Sequence, residues 1–392
     1  MGAGLLLGAC ANPATLETNR PSEDSGHDGG LAHEVSAGQE SGVAGPTSRP
    51  TPSAAPLREG ERFIDLRLPV SYTPQTQTSG TDDYRCFVLD PGLTTDALVA
   101  GIDITPDNVA MVHHVIVYKV LPDQVEVAQA LQAAQPDPGY SCFGGSGLEV
   151  AAGTNLDQAS WIGAWAPGGG ERVLPEDVGI PLPAGSRLIV QMHYSTLVAS
   201  GADQSDIRLR VADDDGRKAS LDTMLLPAPV ELPCRTRNQG GLCVREAAKK
   251  DVVERFGQAG RIGDMLHVLC GGTPPGRTTS CTRQVREPGT IRAVGGHMHL
   301  LGKSITIDIN KGTPQARRIL DVPVWNFDEQ GAVSLQEPAQ IAPGDTLTVT
   351  CTHDQTMRDL LPALADIPER YVIWGEGTAD EMCLGTVLLT RP

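Results

Sequence analysis

The sequence predicts an all-β protein, built as two tandem antiparallel β-sandwich or jelly-roll domains preceded by a disordered tether. Three observations carry that prediction. The 392 residues include 44 glycines and 30 prolines, too many interruptions for a helical bundle. Short Val/Ile/Leu-rich runs recur between them, several with the two-residue alternation of a half-buried strand. A strand-launching turn also repeats, as Pro183-Ala-Gly-Ser-Arg-Leu-Ile-Val190 and as Ala342-Pro-Gly-Asp-Thr-Leu-Thr-Val349. Each copy precedes a histidine, His193 or His353, which puts one copy in each half. The expected layout is a leader remnant over 1–10, a tether over 11–60, a first sandwich over 61–215 and a second over 216–392. The boundary falls at the acidic turn 213–216.

The elements follow in order. Leu7-Gly8-Ala9-Cys10 has the form of a bacterial lipobox, small residues before a cysteine that is cut and lipidated. The plain alternative is a chance cysteine in an apolar terminus. Removing Cys10 from the nine cysteines leaves an even eight, as disulfide pairing in an oxidising compartment requires. A lipid on Cys10 predicts a periplasmic or extracellular protein anchored at the outer membrane without spanning it. Residues 11–60 lack Phe, Trp and Tyr and are rich in Pro, Gly, Ser and Thr, so they cannot offset their ordering entropy by burial. His27 and His33 lie in this tract and are read as solvated.

From Phe63 onward the strand-like runs are 110–118, 187–194, 303–309 and 346–351. Helices are expected only over Thr95–Gly101 and Glu246–Phe256. The 48 acidic against 31 basic residues, net charge −17, exclude a nucleic-acid partner and docking on anionic lipid. No apolar run reaches the roughly 20 residues of a membrane helix.

Five histidines outside the tether form compact patterns. His297 and His299 are two apart, so on a strand their rings share a face and can reach one ion. A surface pair or a satisfied core histidine is the alternative. His113 and His114 are adjacent and should point to opposite faces, unless a bulge turns both inward. His193 supplies a third imidazole in that half. Three imidazoles suit Zn, Cu, Fe or Ni, and the pair at 297 and 299 needs a further ligand. Met382 offers a soft thioether, although spacing alone reads it as core. His267 and His353 are read as structural or exposed. His353 sits one residue out of step with His193 in the repeat, so it should face the other way.

Six segments in order resemble the copper type II, ascorbate-dependent monooxygenases, the family of peptidylglycine α-hydroxylating and dopamine β-monooxygenases. They are Tyr84-Arg-Cys86, Val112-His-His-Val115, Trp161–Pro167, Gln191-Met-His193-Tyr194, His297-Met-His299 with Leu301-Gly-Lys303, and Asp380-Glu-Met382-Cys383. The resemblance spans roughly residues 80–390 and implies two jelly-roll sandwiches facing each other across a solvent-filled cleft. It implies two copper ions, an electron-storing one on His113, His114 and His193 and a dioxygen-binding one on His297, His299 and Met382. Gln191 is implied either to order the path between them or to be a structural amide. The partners implied are dioxygen, a small-molecule substrate, and ascorbate or another reductant. One oxygen atom enters a substrate C–H bond and the other leaves as water. The resemblance also implies the bridges Cys86–Cys142 and Cys351–Cys383, which leave Cys234–Cys243 and Cys270–Cys281 as short-range pairs.

The sequence departs from the family where peptide hydroxylases hold a carboxylate. Gly295, Leu384 and Thr386 stand where those enzymes carry Arg, Asn and Tyr. A buried carboxylate without such partners is costly, so peptidylglycine is not the expected substrate. Two other readings remain open: a copper-binding redox module of the same fold without hydroxylase activity, and a metal-free adhesion sandwich on a tether.

Overall fold

The computed structural model describes residues 54–76, 80–135, 137–148, 158–236 and 240–392. Cys10, His27, His33 and most of the expected tether lie outside the described residues. Its last seven residues do not behave as tether. The Ala55 amide donates to the Glu171 carboxylate (2.6 Å), and the Ala55 and Pro56 carbonyls accept from the buried Arg210 guanidinium. Arg210 also pairs with Glu61 and Glu171, so this stretch supplies acceptors that a buried guanidinium needs.

The described chain is dominated by antiparallel strands, as the sequence predicts. A long mixed sheet runs in the order Glu61–Arg67, Asp206–Asp213, Ala97–Thr105, Val178–Leu182, Ala219–Pro227, Leu384–Thr390, Gly289–His297, Val333–Ile341. A second sheet packs on the first-half part of it: Tyr140–Ser141, Asp82–Leu89, Arg187–Ser195, Val112–Val120, Trp161–Trp165. A third covers the second-half part: Thr278–Gln284, Thr346–His353, Gly302–Ile309, Arg317–Val322. Each layer pair encloses its own apolar core, the first around Phe87, Val115, Val190 and Leu209, the second around Ile291, Ile305, Val349 and Val387. The turn at 214–218 separates the strands on either side of the expected boundary. The long sheet crosses it through a short parallel pairing, Ala219 with Val178 and Ser220 with Gly179.

The strand expectations at 110–118, 187–194, 303–309 and 346–351 match observed strands, and the helix over Glu246–Phe256 is Arg245–Phe256. The helix expected over Thr95–Gly101 is instead the strand Ala97–Thr105. Its first six residues are all buried, so the two-residue alternation that signals a strand is missing. Four disulfides form as expected: Cys86–Cys142, Cys234–Cys243, Cys270–Cys281 and Cys351–Cys383. Among the described residues no helix is long and apolar enough to cross a membrane.

Candidate metal centre

His193 lies on Arg187–Ser195 and His113 and His114 on the neighbouring Val112–Val120. The ladder between these strands slips at this point. His193 pairs with His114, but the next residue, Tyr194, pairs with Val112. His113 is therefore the extra residue of a β-bulge, which brings two adjacent rings to one side. The His113 and His114 Nδ1 atoms are 3.0 Å apart, and the His193 Nδ1 lies 3.4 Å from that of His114.

His297 ends the strand Gly289–His297, and His299 follows in the turn beyond it. The His297 Nδ1 donates to the Gln330 Oε1 (2.6 Å), and Gln330 in turn donates to the Phe327 carbonyl. The His299 Nδ1 donates to the Asp380 carbonyl (3.3 Å). Both acceptors lack a proton to return, so they fix the tautomer and leave each Nε2 as a bare lone pair. Those two Nε2 atoms, and that of His113, are buried with no hydrogen-bond partner.

The two groups are not held apart. The ring centroids of His113 and His299 are 5.5 Å apart, those of His114 and His297 5.5 Å, and those of His297 and His299 5.1 Å. The solvent-filled cleft implied by the family resemblance is replaced by one buried cluster of five rings. Single side chains from the second half close it. Phe327 packs on His113 at 4.9 Å, and a Cβ at Gly168 would meet the Asp328 carbonyl at 2.6 Å. That glycine, at φ +82°, lets the first-half turn approach the 323–332 loop.

Burial strips water from these rings and disfavours their charged forms. Desolvation, reinforced by the neighbouring rings, holds His113 and His114 well below the ordinary imidazole value. It lowers His193 and pushes His297 down to about 3. The His193 contact with Asp82 (2.9 Å) is therefore a neutral imidazole N–H donating to a carboxylate rather than an ion pair. Burial alone would raise the Asp82 carboxyl, but its bonds from His193 and Thr378 outweigh that and keep it below the ordinary range. With Nε2 committed to Asp82, the His193 Nδ1 is also a bare lone pair. The 3.0 Å contact between the His113 and His114 nitrogens needs either a proton from one of them or a cation between them. The donor set thus fits an imidazole-binding transition metal such as copper.

Met382 is buried and packs with Leu266, Trp374 and Leu384. Its segment is tied to the histidine turn, because the Glu381 carboxylate accepts from the backbone amides of His299 and Leu301. His353 stays outside the cluster as expected of a structural histidine. It is buried, and its Nε2 donates to the Met382 carbonyl (3.1 Å). His267 is partly exposed, 3.5 Å from Glu231. Gln191 is a structural amide in its contacts. It donates to the Cys142 and Gly145 carbonyls (2.9 and 2.8 Å) and accepts from the Tyr118 hydroxyl. Sequence reasoning missed Asp82, Gln330, Thr378 and Arg255, whose guanidinium grips the Asp380 carboxylate with two bonds of 2.7 Å. Of these only Asp82 carried a signal, standing two residues before Tyr84 on the same strand face.

An all-β frame carrying buried, neutral imidazoles with unpaired nitrogens defines a candidate histidine-ligated metal centre. Residues 277–388, which include His297, His299 and Met382, match the family model of the copper type II ascorbate-dependent monooxygenase C-terminal domain. This C-terminal part is thus similar to a family described as copper type II and ascorbate-dependent. The chain is 22% identical over 364 residues to tyramine beta-hydroxylase of Caenorhabditis briggsae, covering 88% of this chain. The chain spans about half, 52%, of that relative's length. Among solved structures, the major capsid protein P2 of bacteriophage PM2 aligns at 9% identity and TM-score 0.31, covering 84% of this chain and 97% of that one. Allantoicase aligns at 10% identity and TM-score 0.17, covering 74% and 86%. Likenesses this low carry no argument about function.

Proposed function

We propose that the protein is a copper-dependent monooxygenase that hydroxylates a C–H bond of a small organic substrate. Dioxygen and an external one-electron reductant of the ascorbate type complete the reaction. One observation carries this reading: five clustered histidines in the family's order, with the His113, His297 and His299 Nε2 atoms buried and unpartnered. His113, His114 and His193 would hold one copper through nitrogens that include the His193 Nδ1. His297 and His299 would hold the other through Nε2, with Met382 as its thioether ligand. Copper at these positions supplies the one-electron redox steps, two electrons from the reductant sending one oxygen atom to product and one to water. The protein's part is to keep the rings neutral, fix their tautomers through Asp82, Gln330 and Asp380, and exclude water with Phe327.

The substrate carries no carboxylate to be gripped at the family's anchor positions. Gly295 pairs with Thr386 across the sheet, and a Cβ there would already meet the Thr386 Oγ1 at 2.7 Å. Leu384 beside them is apolar and buried. The anchored, exported location expected from Cys10 belongs to the same proposal. Lost anchors also favour the alternative, a copper redox module of the same fold. Copper-loaded protein given reductant, labelled dioxygen and a substrate panel decides between them. Two coppers per chain and label in a product are expected, and Met382→Ile should abolish oxidation while the first copper stays bound. Full activity in Met382→Ile, or peroxide release without product, overturns the hydroxylase reading.

A further inference from the structure

We infer that Asp82 is a positioning residue shared by both histidine groups, orienting His193 in the first half and fastening the second-half loop that carries Asp380 and Met382. The inference rests on the reading of those histidines as copper ligands. Asp82 is buried at the start of the strand Asp82–Leu89. Its Oδ1 accepts from the His193 Nε2 (2.9 Å), the Thr378 amide (2.9 Å) and the Thr378 hydroxyl (2.5 Å), while Oδ2 accepts from Thr81 (2.9 Å). One carboxylate oxygen therefore joins a ring on Arg187–Ser195 to Thr378, 296 positions from Asp82 itself.

A second link runs parallel to the first. Tyr84, two residues on and on the same strand face, stacks on the His193 ring with centroids 4.0 Å apart and planes at 16°. Its hydroxyl donates to the Glu376 carbonyl (2.8 Å). Both residues that fix His193 thus also hold loop 376–378. That loop is tight: the Gly375 amide donates to the Glu381 carbonyl, and the Asp380 amide to the Gly377 carbonyl. A shift of Thr378 therefore reaches the Asp380 carbonyl that receives the His299 Nδ1, and Met382 two residues later. A carboxylate behind a ligating imidazole fixes its tautomer and raises its basicity. Asp82 does so for His193 and, by the same oxygen, sets the place of the second group.

The test is copper(II) titration of the full metal-free chain, read by equilibrium dialysis and electron paramagnetic resonance. Thr378→Val and Thr378→Ser are compared in a His113→Ala background that leaves the second group alone. Asp82→Asn is compared in a His297→Ala background that leaves the first. Asp82→Asn should weaken the first copper roughly 10- to 100-fold, change its cupric spectrum and make it easier to reduce. Thr378→Val should change the second copper's spectrum and weaken its binding several-fold, and Thr378→Ser should restore both. Should Asp82→Asn fail to fold, the Thr378 pair decides. A folded Thr378→Val whose second copper matches its background overturns the inference, as does an Asp82→Asn first copper within twofold of its background. A native chain that binds no copper instead overturns the reading on which the inference rests.

Discussion

The two histidine groups are built by different means. The first is set by ladder register: one bulged strand and its neighbour place His113, His114 and His193 inside a five-stranded sheet. The second is set at a strand end and by loops. His297 is steered by Gln330, His299 by the Asp380 carbonyl, and Met382 sits in a separate stretch. The first group has a carboxylate behind one ligand, and the second has neutral acceptors. Under the proposed reading, the carboxylate-backed first group would hold the charge-storing copper and the loop-borne second group the copper that admits ligands.

The strongest way to break this comparison is to remove one ring at a time. His297→Ala should cost one of two copper equivalents and leave the first group's spectrum intact, while His193→Ala should do the reverse. Loss of both coppers in either variant would show a single shared site, and copper analysis with paramagnetic resonance reads the difference. Acid comes next. His113, His114, His193 and His297 all have lowered values in the fold, so the unfolded chain takes up protons that the folded chain refuses. Stability is fully present above the unfolded value, near pH 6.5, and is lost as pH falls toward about 3 for His297. Each such ring contributes up to about 1.4 kcal/mol per pH unit, and denaturant melts of metal-free protein should show the decline.

Smaller effects sharpen the same contrast. Replacing Cys351 and Cys383 by Ala removes the bridge beside Met382 and should cost ~2–4 kcal/mol in melts. Gln330→Ala frees the His297 tautomer and should weaken only the second copper, by roughly 10- to 100-fold in titration. Gln191→Ala strands the Cys142 and Gly145 carbonyls. It should cost ~1–3 kcal/mol with copper stoichiometry unchanged, unlike a residue on the reaction path.

What the sequence made legible follows from range. Strand alternation, the even cysteine count and the order of histidine motifs are local or ordinal, and each has its counterpart in the structure. The bulge at His113 is the condition under which two adjacent rings face one side, the alternative being one ring on each face. Thr95–Gly101 was misread because a strand buried on both faces loses its period. Gln330, Thr378 and Arg255 were invisible because their partners lie 33, 296 and 125 residues away. Nothing in local pattern states such distances, and the closed packing of the five rings was missed for the same reason.

The parallel pairing of Ala219 with Val178 and Ser220 with Gly179 has a consequence for traffic through the molecule. A sheet that runs unbroken from one half to the other is a spine, and swinging the halves apart would tear it along with the Asp82–Thr378 bonds. Under the proposed reading, small molecules would reach the rings without the halves separating. At the ring cluster the 323–332 segment is held by two contacts, Phe327 on His113 at 4.9 Å and the Gln330–His297 bond.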